Sequence, residues 1–164
     1  MTTSFTYDGC GRLYKVRNSE GYTLTAGYDN LDRITSMTYP DGTFEKITWD
    51  KLDAVLLRDR LGNWTQQQFD SMDQLVNVID PDGHSTKYQW CTCGSLGSIT
   101  DPAGNVTSWT RDIQGRATQK TYADSTAINY VFENDTSRLK SQTDALSQTK
   151  NYSYNIDNTL NQIS

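Results

Sequence analysis

The chain has 164 residues, 35% of them hydrophobic and 11% aromatic, with a formal charge of −5 and a mean hydropathy of −0.72. That length suits one domain, and a chain of this size ordinarily buries about 68–70% of its unfolded surface, enough for a core of its own. The acidic balance, without any Lys/Arg stripe, excludes nucleic acid as a partner, and no apolar run approaches the roughly 18 residues that insertion of a membrane helix needs.

From the N-terminus, the first predicted strand holds Phe5 and Tyr7, whose spacing of two puts both rings on one face. Asp8 opens a turn and Gly11 closes it, because glycine accepts the left-handed backbone of a tight turn. Leu13 marks a second strand, Val16 joins it three residues later, and Gly21 makes a second turn. The set then returns. Tyr28 follows Ala26, with Asp29, Asp32, Ile34, Met37 and Gly42 behind it; Trp49 follows Ile47, with Asp50, Asp53, Val55 and Gly62. Phe69 follows Gln67 and leads to Asp70, Asp73, Leu75, Val78 and Gly83, and Trp90 follows Tyr88 and leads to Gly94, Leu96, Ile99 and Gly104. Arg111 follows Trp109, with Asp112, Gly115, Ala117 and Ser125 after it; Phe132 follows Tyr130, with Glu133, Leu139 and Ser147. Tyr154, after Tyr152, opens the last set with Asn155, Asn158, Leu160 and Ile163.

The anchors Tyr7, Tyr28, Trp49, Phe69, Trp90, Arg111, Phe132 and Tyr154 advance by 21, 21, 20, 21, 21, 21 and 22 residues, and a fixed period decides architecture ahead of any local signal. Where Arg111 breaks the ring column, Trp109 still supplies an aromatic. YPDG at 39–42, DPDG at 80–83 and DPAG at 101–104 are strong turn code, in which proline presets φ and glycine takes the left-handed position. Each repeat reads as one β-hairpin of short strands rich in Thr, Tyr, Val and Ile. Hairpins paired edge to edge predict an all-β fold, one curved or spiralling antiparallel sheet over residues 1–164, in about eight repeats. Such a layer hides its aromatic stripe only by curling on itself or meeting a partner.

These columns resemble the RHS or YD-repeat family, whose pattern is a Tyr-Asp pair, a Gly-Arg-Leu and an Asp-Pro-x-Gly turn. The match is carried by YDGCGRL at 7–13, YDNLDRI at 28–34, RDIQGRA at 111–117 and the two DPxG turns. The resemblance implies part of a β-shell of the kind found in insecticidal and polymorphic toxins and in teneurins, a non-enzymatic scaffold that encapsulates a C-terminal cargo. It also implies a secreted or cell-surface location. The chain begins and ends inside repeats without caps, so the expectation is a fragment of a larger shell whose partners are adjoining repeats or further copies recruited through open sheet edges.

No catalytic, cofactor or metal residue is assigned. One histidine precludes a Ser-His-Asp set beyond His84, and phosphate and dinucleotide loops are missing. The resemblance raises a self-cleaving aspartate pair, for which Asp80 and Asp101 are the candidates, although both also read as turn initiators. Cys10, Cys91 and Cys93 leave free thiols, one disulfide or a metal site with His84 open, since C-x-C lacks the usual zinc spacing. The second aromatic column, Tyr88, Trp109, Tyr130 and Tyr152, reads as packing, with glycan stacking as the alternative.

Overall fold

The computed structural model describes residues 2–164, and among them all regular structure is β-strand. The chain forms two compact units that divide between Ser85 and Thr86. The first contains β1 (Ser4–Tyr7), β2 (Leu13–Arg17), β3 (Thr23–Tyr28), β4 (Ile34–Thr38), β5 (Phe44–Asp50), β6 (Asp53–Arg58), β7 (Trp64–Phe69) and β8 (Leu75–Ile79). The second contains β9 (Ser85–Trp90), which begins one residue earlier, then β10 (Leu96–Thr100), β11 (Val106–Arg111), β12 (Ala117–Thr121), β13 (Ala127–Phe132), β14 (Leu139–Thr143), β15 (Thr149–Tyr154) and β16 (Leu160–Ile163). In each unit consecutive strands pair antiparallel, so strand order follows chain order.

The turns show why the aspartates recur. The Asp8 N–H donates to the Arg12 carbonyl at 2.9 Å and the Gly11 N–H to the Asp8 carbonyl at 3.0 Å. Asp8 Oδ1 meanwhile accepts the N–H groups of Cys10 and Arg12. This is a three-residue hairpin loop whose last member sits in the left-handed region. Gly11 has φ 83°, Gly115 81°, Gly42 81°, Gly62 97°, Gly83 85° and Gly104 87°; Asp32, Asp73, Ser125, Ser147 and Asn158 take the same conformation. The third repeat departs from this, because its step of 20 leaves one residue fewer. Asp50 there pairs with Asp53 across a two-residue loop, and the positive φ, 50°, falls on Lys51. Asp53, expected in the turn, is a strand residue, and Trp49 faces Ala54 instead of Val55.

The spacing of three between Leu13 and Val16 has a cause that period-two reasoning does not contain. Tyr7 pairs with Leu13 and Thr6 with Lys15, so Tyr14 is skipped as a bulge. The same skip recurs at Thr35, Val55, Gly97, Thr118 and Lys140. One extra residue flips the phase of the second strand. Val16 therefore faces Phe5 while Leu13 faces Tyr7, and both apolar pairs share a face.

The expected core is not present. Among the described residues Ala26 is the one buried hydrophobic, at 8% exposure, and no large side chain is fully enclosed. The accessible area is 11,190 Å², against about 8,200 Å² for an ordinary globular chain of this mass. The physical reason is that within each unit packing is between neighbouring strands of one layer, which shelters a ring from the side but not from above. Tyr7 and Phe5 remain 60% and 57% exposed, and the interior anchors are half-buried, so the rings are not hidden from solvent.

The bulge generates a test. A Cβ at Gly97 would stand 3.3 Å from the Gln89 carbonyl oxygen, which cannot rotate away. Gly97→Ala is expected to cost about 1 kcal/mol through overpacking, whereas Thr118→Ala at the equivalent bulge stays near neutral, as read by urea denaturation.

Candidate functional site: the arginine clasp between repeats

The residue before each second strand is arginine in four repeats: Arg12, Arg33, Arg116 and Arg138. Arg12 Nε donates to Asp8 Oδ2 at 2.7 Å, which completes the first turn of its own repeat. Its Nη1 reaches into the next repeat, donating to the Asp29 carbonyl and to Asp32 Oδ1, both at 2.8 Å. Its guanidinium lies 4.8 Å from the ring centroid of Tyr28. The next anchor then reaches back, for the Tyr28 hydroxyl donates to the Leu13 carbonyl at 2.8 Å. Aspartate, arginine and aromatic thus form one unit that crosses from hairpin to hairpin.

The unit repeats with small changes. Arg33 pairs with Asp29, lies 4.8 Å from the Trp49 centroid and donates to the Lys51 carbonyl, while Trp49 Nε1 donates to the Ile34 carbonyl at 2.9 Å. Arg116 pairs with Asp112 and lies 4.5 Å from the centroid of Phe132. Arg138 pairs with Glu133, lies 4.9 Å from Tyr154 and donates to Asn158 Oδ1; the Tyr154 hydroxyl donates to the Leu139 carbonyl. Arg111, the non-aromatic anchor, keeps the backward link, its Nη2 donating to the Leu96 carbonyl at 3.0 Å. On the opposite rim Arg60 makes a related contact, 3.9 Å from the Tyr39 centroid and paired with Asp41.

The remaining sequence candidates fall as follows. Phe69 and Trp90 close β7 and β9 opposite Leu75 and Leu96. Tyr88, Trp109, Tyr130 and Tyr152 lie half-buried on the anchor face, opposite Ile99, Lys120, Gln142 and Ile163. Cys91 and Cys93 are joined by a disulfide within one turn, where Cys91 Sγ takes the acceptor role of aspartate toward the Ser95 N–H; Cys10 is exposed and free. Among the described residues, Asp80, Asp82 and His84 bring ligand atoms within 4.8 Å of one another, and no cysteine joins them.

Asp80 and Asp101 both act as turn acceptors. Asp80 Oδ1 takes the N–H groups of Asp82 and His84, with Oδ2 3.1 Å from His84 Nδ1, and Asp101 takes the backbone and side-chain N–H of Asn105. Partial burial pushes the Asp80 carboxyl up, but the hydrogen bonds from His84 outweigh it and hold it below the ordinary range. The side-chain and backbone bonds from Asn105 lower Asp101. A pair sharing a proton would show the opposite shift in one member.

Three further turn carboxyls are lowered too: the Arg33 side chain lowers Asp29, the Arg12 N–H lowers Asp8, and Asn63 lowers Asp59. A carboxyl with a depressed folded pKa stabilises the fold above its unfolded value and loses that contribution as pH falls through the folded one. The melting temperature is therefore expected to hold from neutral pH to about 5 and to fall once the pH passes below the ordinary aspartate value of 3.8. Asp59→Asn combined with Asp101→Asn should flatten that descent. The clasp itself is tested by Arg33→Ala, expected to lower the melting temperature by several degrees; Arg33→Lys recovers little, because a lysine cannot donate to Asp29, the Lys51 carbonyl and the Trp49 face at once.

The model of the RHS repeat matches residues 98–127, a window that holds the DPAG turn, the Asp112–Arg116 pair and the turn at Ser125. That window is similar to an RHS repeat. Double-stranded DNA deaminase toxin A of Burkholderia cenocepacia (strain H111) is 26% identical over 124 residues, 75% of this chain and 9% of that protein. The crystal structure of TcdB2-TccC3-Cdc42 superposes on 98% of the chain with a TM-score of 0.56 at 15% identity, and the Photorhabdus luminescens Tc holotoxin pore on 99% with 0.55 at 14%. Each of those two solved chains is covered over 11% of its length, so this chain spans about a tenth of the proteins it matches.

Proposed function

We propose that these RHS repeats are an arc of a toxin-associated β-shell, a non-catalytic scaffold that encloses a polypeptide cargo outside the cell that makes it. The observation that carries the reading is the layering within each unit: strands in chain order, a clasp from hairpin to hairpin, and no second layer to form a core among the described residues of either unit. An enzyme or a compact binding domain needs a rigid interior to position groups, and a layer built only by lateral contacts suits a wall. The likeness to toxin proteins, over about a tenth of their length, supports the toxin association. No described helix is long and apolar enough to cross a membrane.

The strands at the ends of the order, β1 and β16, expose Phe5, Tyr7, Leu160 and Ile163 beside free backbone edges, which suits pairing with further repeats or with another copy. The test uses the complete natural protein. A polypeptide following the repeats is expected to resist protease in the intact protein and to be digested quickly once the repeats are unfolded by acid. Digestion at equal rates in both states would exclude the enclosing role.

A further inference from the structure

Charge in the second unit is sorted by position. Every Asp and Glu after Ser85 lies in a turn, and no strand from β9 to β16 carries an acid, whereas those strands carry Lys87, Arg111, Lys120, Lys140 and Lys150. The register places three of the five on the aromatic face. Lys120 stands opposite Trp109, Lys150 opposite Gln142, which itself faces Tyr130, and Arg111 occupies the anchor column opposite Ala117. Among the described residues none of the three has a carboxylate partner, since the ion pairs of this unit belong to Arg116 and Arg138. The Lys120 ammonium lies over rings instead, 4.5 Å from the Tyr122 centroid and 5.8 Å from that of Trp109.

The same face holds an open cavity of about 280 Å³ lined by Trp109, Arg116, Ala117, Tyr130, Phe132 and Leu139. Apart from Arg116 its lining is apolar or aromatic, and its volume admits one large side chain. Unpaired cations beside an apolar slot select an occupant that brings both negative charge and apolar bulk.

We propose that the aromatic face of β9–β16 docks a polypeptide segment in which acidic residues are interspersed with large apolar ones. This deepens the scaffold reading by naming the chemistry of what the wall carries. Lys120 on β12 and Lys150 on β15 are three strands apart, roughly 14 Å, which an extended peptide crossing the strands spans in about four residues. A nucleic acid fits less well, because its phosphates come at about 1.7 Å per charge in a duplex, far denser than three isolated cations, and because both rims of the unit are lined by turn acids such as Asp101, Asp112, Asp124 and Asp144.

The probes are a short fluorescent peptide with Glu at every fourth position and Phe or Leu between, its counterpart with Lys for Glu, and single-stranded DNA of similar length, each titrated into the whole chain. The acidic peptide is expected to bind at least about tenfold more tightly than the basic one, to weaken with salt, and to change the Trp fluorescence. Lys120→Glu with Lys150→Glu should abolish or invert that preference with an unchanged circular dichroism spectrum. If the double variant unfolds, Lys150→Glu alone, at an exposed position without a ring contact, carries the comparison. Equal binding of the two peptides, tighter binding of DNA, no binding, or indifference to the charge reversal overturns the proposal. Protease protection plays no part in this measurement, so its failure leaves the scaffold reading standing, and an unprotected cargo leaves the docking surface standing.

Discussion

A single layer of β-sheet has no facing layer to press against, and every other property of this chain follows from that constraint. Backbone ladders fix neighbouring strands but are indifferent to which hairpin comes next, and edge-to-edge pairing alone is prone to slippage. The clasp removes the indifference. Arg12 is held by Asp8 in one turn and gripped by the carbonyl of Asp29, the carboxylate of Asp32 and the ring of Tyr28 in the next, so register and spacing between hairpins are set by side chains. Exposed ion pairs are individually weak. The gain here comes from asking one guanidinium to satisfy several acceptors and a ring at a fixed spacing of one repeat, which suits the planar fork of arginine.

The turn aspartates serve two purposes at the same atom set. One oxygen of Asp29 accepts backbone N–H groups and shapes the loop; the other accepts from Arg33 and commits the loop to its neighbour. Where arginine is missing, the carboxylate still shapes the turn, as Asp70 does toward Met72 and Gln74. Loop formation and inter-hairpin linkage are therefore separable, which explains how the repeats tolerate Asp53, Gln74, Ser95 and Thr159 in the arginine column without losing the hairpin.

The hairpins, their order and the turn glycines could be read from the sequence because a twenty-one-residue period and Asp-Pro-x-Gly turns are local signals. The likeness to an RHS repeat at residues 98–127 rests on the same local signals. Arginine belongs to the sequence pattern, but its role in the clasp is not legible there, since the contact it makes lies sixteen residues ahead, between Arg12 and Tyr28, and nothing local marks it. The bulge was present as an anomaly, a spacing of three where a strand allows two or four, and could have been inferred from Leu13 and Val16 facing the same ring column. The misplacement of Asp53 and Val55 came from carrying the column through a repeat that is one residue short, where the loop contracts and the strand takes up the shift. The expectation of a core failed because length bounds how much surface a compact chain can bury, and a chain that packs only sideways is not compact in that sense.

The two faces of the layer differ in a way that bears on what meets them. Opposite the rings, amides and hydroxyls bond across strands: Asn77 Nδ2 to Gln68 Oε1, Ser85 Oγ to Asn77 Oδ1, Ser98 Oγ to Gln89 Oε1, and Gln119 Nε2 to Asn129 Oδ1. That face satisfies its own polar groups and has little left to offer a partner beyond what water already supplies. The ring face is unsatisfied in the complementary sense, half-sheltered and, in the second unit, cationic without counter-charge. Association follows the face with the larger unspent free energy of burial, so in each unit the aromatic side is the one expected to be covered and the amide side the one left to solvent.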